Sequence, residues 1–135
     1  MELIEQIRGL SGFRYALRRF LAASEAISRD AGITQQQYQT LLAIKASDTG
    51  QLSIADLADH LLLTHHAAVQ MMDRLAKAGL AERRPSDRDG RIVFVQLTRK
   101  GGKLIEGLAA RHLDEMLRQE PQLRRSLNML KRLAD

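Results

Sequence analysis

Four histidines, His60, His65, His66 and His112, are the side chains in this 135-residue sequence from which metal or acid–base chemistry would first be built. Neighbouring residues on a helix point about 100° apart, and no acidic residue stands four positions from His65 or His66 to complete a metal site. A zinc site is therefore not expected, and His112, alone on an apolar stripe, reads as a hydrogen-bonded interface histidine. The absence of cysteine removes disulfides, thiolate metal sites, a cysteine nucleophile and thiol redox sensing. No Ser/His/Asp set has the spacing of a nucleophile motif, and Gly101-Gly102 alone is no phosphate loop. An enzyme is not expected, nor is a cofactor.

The arginines carry a stronger signal. The chain holds 21 basic and 16 acidic residues. Arg83, Arg84, Arg88, Arg91, Arg99 and Lys100 face only Asp87 and Asp89 between residues 83 and 100, so most of the excess sits in one short stretch. A positive charge concentrated in this way points to contact with a polyanion.

The elements that must position those cations are mostly helices. Phe13, Leu17, Phe20, Leu21, Ser24 and Ile27 make an amphipathic stripe, which Gly32 ends. Gly9 and Gly12 should make the opening stretch a separate or bent helix. Thr34 with Gln37 reads as a capping box for a helix over about 34–47. Asp48-Thr49-Gly50 is a turn, and Ser53 with Asp56 opens a short helix with Ile54, Leu57, Ala58 and Leu61 inward. Thr64 caps a fourth helix with Ala68, Met72, Leu75 and Ala76 inward, and Gly79 stops it. Two capped helices around a tight turn form a helix-turn-helix.

Leu80 to Arg84 and Ile92 to Leu97 flank a charged loop containing Asp89-Gly90 and predict a β-hairpin leaning on the helices. Thr98 caps a long helix carrying Leu104, Ile105, Leu108, His112, Leu113, Met116 and Leu117. Pro121 should break it before a last helix with Leu123, Leu127, Leu130 and Leu133. The expected fold is mostly α with a small β-hairpin: a winged helix-turn-helix over 34–100, between dimerisation helices at 1–33 and 101–135. Hydrophobic residues make up 44% and charged residues 27%, as in an ordinary globular domain. No apolar run approaches a membrane span, and the opening Met1-Glu2-Leu3-Ile4-Glu5 lacks signal-peptide character, so a cytoplasmic protein without membrane contact is expected.

With Ala68, Met72 and Leu75 inward, His65, His66, Val69, Gln70 and Asp73 form the outward arc of the fourth helix. That arc lacks the Glu and Lys pairs of a merely solvated face. Gln70 can bond adenine bidentately, Val69 can touch a thymine methyl, and His65 or His66 can reach phosphate or a base edge. Arg84, at the hairpin base, suits a phosphate.

Leu52-Ser53-Ile54-Ala55-Asp56-Leu57-Ala58, then Val69 through Leu80, then Asp87-Arg88-Asp89-Gly90-Arg91 leading to Val95-Gln96-Leu97-Thr98, resemble the MarR family of winged-helix transcription regulators in order and spacing. The resemblance implies a homodimer on palindromic double-stranded DNA operators, as a repressor relieved by a small aromatic ligand. It also implies a ligand crevice between the first, second and fifth helices, for which Phe20, Tyr38 and Leu42 are candidates. Many members carry Arg where this chain has Gln70, which replaces the usual guanine preference with an adenine one. Arg74 resembles a structural partner of the wing, with a phosphate contact as the alternative. Asp89 and Arg91 resemble the family's Asp-x-Arg signature: a carboxylate holds one arginine while another at the tip enters the minor groove. Arg88 and Arg91 fit either part. The competing reading is a winged helix that docks proteins without DNA, suggested by the charge balance of Arg74 and Lys77 against Asp73 and Glu82.

Overall fold

The computed structural model describes residues 2–134; Met1 and Asp135, the outermost residues of the two expected dimerisation segments, lie outside it. The chain runs α1 (Leu3–Asp30), α2 (Gln35–Ala46), β1 (Gln51–Ser53), α3 (Ile54–Leu61), α4 (His65–Lys77), β2 (Ala81–Pro85), β3 (Val93–Leu97) and α5 (Arg99–Ala134). Hydroxyl groups start four of the five helices. Thr34 Oγ1 accepts from the Gln37 N–H while the Gln37 side chain accepts from the Thr34 N–H, both at 3.0 Å. Ser53 accepts from Asp56 N–H at 3.0 Å, Thr64 from Ala67 N–H at 3.1 Å and Thr98 from Gly101 N–H at 3.1 Å. Each such cap satisfies an otherwise unpaired amide and contributes about 1 kcal/mol.

The core lies where α2, α3, α4, β3 and α5 meet. Leu41, Ile44, Leu57, Ala68, Met72, Leu75, Val95 and Ile105 are all fully buried there. Met71 is buried beside Met72, whereas Ala76, expected inward, is exposed, because the buried arc of α4 runs through 68, 71, 72 and 75. Leu62, between α3 and α4, has left-handed backbone (φ 57°) and is 91% exposed.

Three features of the element layout also differ from what the sequence leads one to expect. First, the hairpin belongs to a three-stranded antiparallel sheet of order β1-β3-β2, with Leu52 opposite Val95 and Arg83 on the other side of Val95. Second, α1 is a single helix of 28 residues. Gly9 is where α5 comes closest: a Cβ there would overlap the Leu133 side chain and lie 3.3 Å from Leu130 Cδ2. The glycine's intrinsic helical cost is thus offset by helix packing.

Third, α5 continues through Pro121 as one helix of 36 residues. Proline withdraws the N–H that would meet the Leu117 carbonyl, yet the helix runs on past it. α1 and α5 run antiparallel, from the Gly9 contact with Leu130 and Leu133 to the Asp30–Arg111 ion pair at 3.0 Å. Along them Leu21, Leu113 and Leu117, counted among the apolar stripes, are exposed. No described helix is long and apolar enough to cross a membrane.

Candidate nucleic-acid interface

α4 presents His65, His66, Gln70, Asp73 and Arg74 to solvent. Val69 departs from the expected outward arc: it is half-buried and packs against the core, leaving only part of its side chain for a ligand. Thr64 fixes where the helix begins, so His65 and His66 occupy its first turn, where exposed amides and the helix dipole favour an anion. α4 and the wing border one cleft of about 420 Å³, lined by His65 from the helix, Arg91, Ile92, Val93 and Phe94 from the wing, and Ser53 to Asp56 from the start of α3.

The wing loop is ordered by its own polar side chains. Ser86 N–H donates to the Ile92 carbonyl at 2.9 Å, and Ser86 Oγ accepts from Arg88 N–H at 3.2 Å and Asp89 N–H at 3.3 Å. Asp89 Oδ1 accepts from the Arg91 backbone N–H at 3.0 Å and from its Nε at 3.2 Å, while Oδ2 accepts from Arg91 Nη2 at 3.4 Å. The Arg91 backbone N–H first, and its guanidinium second, hold the Asp89 carboxyl below the usual carboxylate range. Asp89 therefore holds Arg91, whose side chain remains 91% exposed.

Among the described residues neither Arg74 nor Arg88 has a carboxylate within 4.0 Å, so their charges are not locally offset. Arg84 lies 3.4 Å from Glu82, which also accepts from Gln96 Nε2 at 2.7 Å. Arg84 and Arg88 line a second cleft of about 780 Å³ together with Gln51, Phe94 and Gln96.

Asp73 pairs with Arg83 of β2, whose Nη2 also lies 3.5 Å from the Val69 carbonyl. Arg83 thus fills the part that sequence reading gave to Arg74, joining helix to wing. Successive strand residues face opposite ways. Once β2 lies against α4, one of Arg83 and Arg84 must face the helix, and that alternation is the signal that could have found the pair. No group of three or more His, Asp or Glu able to hold a metal occurs among the described residues.

The expected ligand residues are dispersed in character. Tyr38 is buried with its ring covered by His112, Phe20 is half-buried, and Leu42 is 39% exposed. A polar cluster beside Tyr38 ties α1, α2 and α5 together. His112 Nδ1 lies 2.8 Å from the Leu108 carbonyl, and Nε2 lies 3.2 Å from the Ser24 carbonyl and 3.4 Å from Ser28 Oγ. Gln35 joins the two serines, accepting from Ser28 at 2.8 Å and donating to Ser24 at 2.7 Å.

Residues 31–92 match the family model described as "MarR family". The HTH-type transcriptional regulator FarR of Neisseria gonorrhoeae is 30% identical over 95 residues, covering 70% of this chain and 64% of that protein. The chain spans about three fifths of the length of the curated relatives it matches. Among solved structures, AbsC, a MarR family transcriptional regulator from Streptomyces coelicolor, superposes with a TM-score of 0.81 at 21% identity, over 88% of this chain and 80% of that one. NadR in complex with 4-hydroxyphenylacetate superposes with a TM-score of 0.72 at 29% identity, over 91% and 86%. With the capped helix pair, the Asp89–Arg91 wing and the sequence matches in agreement, this chain belongs, through residues 31–92, to the MarR family of winged-helix transcriptional regulators.

Proposed function

We propose that the chain is a cytoplasmic repressor that binds palindromic double-stranded DNA as a homodimer, with residues 34–100 reading the duplex and 1–33 and 101–135 joining the protomers. The observation that carries the DNA reading is the cleft shared by His65 and Arg91, which supports one surface built from helix and wing together. In this reading α4 enters the major groove, Gln70 bonds adenine, and Val69 offers a methyl edge. His65, His66, Arg74 and Arg84 meet phosphates. Arg91, exposed yet held by Asp89, enters the minor groove at little ordering cost, and Arg88 lies along the backbone.

The dimer reading is supported by apolar residues that the chain leaves uncovered: Leu3, Ile7 and Leu10 at helical spacing on α1, and Leu113 and Leu117 on α5. A two-fold pair would cover them and would match two half-sites about one helical turn apart. A small aromatic effector at the α1–α2–α5 crevice, near Phe20, Tyr38 and Leu42, is supported by the ligand in the NadR complex. Selection of duplexes from a random pool, followed by binding at several salt concentrations, tests the whole. The expected result is a palindromic consensus with affinity that falls steeply with salt. Affinity that is negligible and insensitive to salt would favour the protein-docking alternative, and a monomer in sedimentation at micromolar concentration would remove the dimer.

A further inference from the structure

The last carbonyls of a helix have no partner within it, and those following α4 are met by the start of α5. Lys100 Nζ donates to the Ala78 carbonyl at 3.1 Å, Thr98 Oγ1 donates to the Gly79 carbonyl at 2.6 Å, and Thr98 N–H donates to the Leu80 carbonyl at 3.1 Å. Three consecutive carbonyls are thus each engaged by Thr98 or Lys100. Thr98 Oγ1 simultaneously accepts from Gly101 N–H at 3.1 Å, so one hydroxyl ends α4 and begins α5. The Lys100 ammonium also sits at the negative end of the α4 dipole.

Gly101 completes the joint. A Cβ at this position would overlap the Leu80 carbonyl, so α5 approaches the end of α4 more closely than any side chain would allow. Gly79, at φ 72°, provides the reversal that turns these carbonyls toward α5. α5 then runs from this joint along α1, and carries the exposed Leu113 and Leu117.

We propose that Thr98, Lys100 and Gly101 are positioning residues: they fix the angle between the recognition helix and α5, and thereby the separation of the two recognition helices in the DNA-bound dimer. The inference rests on the dimer reading above. Avidity for a two-part site depends on holding the second reader where the second half-site lies. A loosened joint lowers that local concentration without altering the contacts of a single half-site.

The test uses a duplex selected by the wild-type protein, a copy with one half-site scrambled, and a copy with one base pair inserted between the halves. Wild-type protein should prefer the full site over the half-site by ~100-fold or more. Thr98→Val and the surface variant Lys100→Met should bind the half-site as wild type does, lose at least ~5-fold of the full-site preference, and be less sensitive to the inserted base pair. Thr98→Ser, which keeps the hydroxyl, should behave as wild type. The proposal is overturned if both variants keep the wild-type preference, or if half-site and full-site binding fall equally, as a general loss of folding would cause. Should wild-type protein itself show no preference for the full site, the dimer reading fails and the proposal with it.

Discussion

The rings of Tyr38 and His112 lie face to face, with centroids 3.7 Å apart and planes within 8° of parallel. The stack joins α2 of the winged helix to α5, and its other contacts reach Ser24 and Ser28 of α1. His112→Ala would remove the ring that covers Tyr38 and leave the Gln35–Ser28 cluster short of a partner. Urea unfolding should show a loss of about 2 to 4 kcal/mol, from cavity and unsatisfied polar groups together. A loss below about 1 kcal/mol would mean that the cluster rearranges freely.

Tyr38 should also give the protein an alkaline limit. Burial pushes its hydroxyl above the ordinary tyrosine value. Below about pH 10 the phenol is neutral in folded and unfolded chains alike and contributes no pH dependence. Above that pH the unfolded chain releases its proton while the folded one retains it, so stability falls until the raised folded value is passed. Melting temperature against pH should show this decline in wild type and a shallower one in Tyr38→Phe.

The two parts of the proposed DNA surface should fail differently. Arg88→Ala or Arg91→Ala removes charge and groove shape, so affinity for all duplexes should drop by roughly 1 to 3 kcal/mol per wing, with a flatter dependence of log affinity on log salt. Gln70→Ala should cost about 1 to 3 kcal/mol on the selected duplex, little on random DNA, and leave the salt slope unchanged. Equal losses on specific and random DNA for Gln70→Ala would remove its base-reading role.

Asp73→Asn separates stability from recognition. The Asp73–Arg83 pair is partly exposed, so melting should change by less than about 1 kcal/mol. Because the pair fastens α4 to β2, the selected duplex should nevertheless be bound more weakly in titrations. Unchanged affinity would show that the helix–wing angle is set elsewhere.

Leu62→Gly should stabilise the protein. A left-handed conformation strains a leucine by about 1 to 2 kcal/mol, offset in part by the greater freedom of an unfolded glycine. The side chain is 91% exposed, so little burial is lost. A gain of about 0.5 kcal/mol in chemical denaturation is expected; a loss would reveal packing by Leu62.

Local chemistry was legible where one residue acts on its neighbours. Thr34, Ser53, Thr64 and Thr98 cap the helices that their spacing indicates. What depends on distant partners was not. Gln51-Leu52-Ser53 is too short to show strand alternation, and becomes β1 only because residues 94–96 lie beside it. The glycine at position 9 reads as a weak point in the helix until Leu130 and Leu133 are seen against it. At the interface, residue type identified the basic wing and the polar arc of α4. Which carboxylate each arginine meets depends on the side of β2 that faces α4, and so it is Arg83 that joins α4 to the wing through Asp73.

The β1–β3 pairing has a consequence for how the protein comes to be folded. Gln51, Leu52 and Ser53 pair with Gln96, Val95 and Phe94, so the central strand closes a loop that contains α3, α4 and β2. Such non-local closure is slow compared with helix formation, because chain entropy must be surrendered before the contact is made. α4 can nucleate early from its Thr64 cap and meets β2 through Asp73 and Arg83, but β2 is tied to β1 only when β3 arrives between them. The wing thus gains its link to β1 only with β3, and a nascent chain that ends before Val93 lacks the central strand of the sheet.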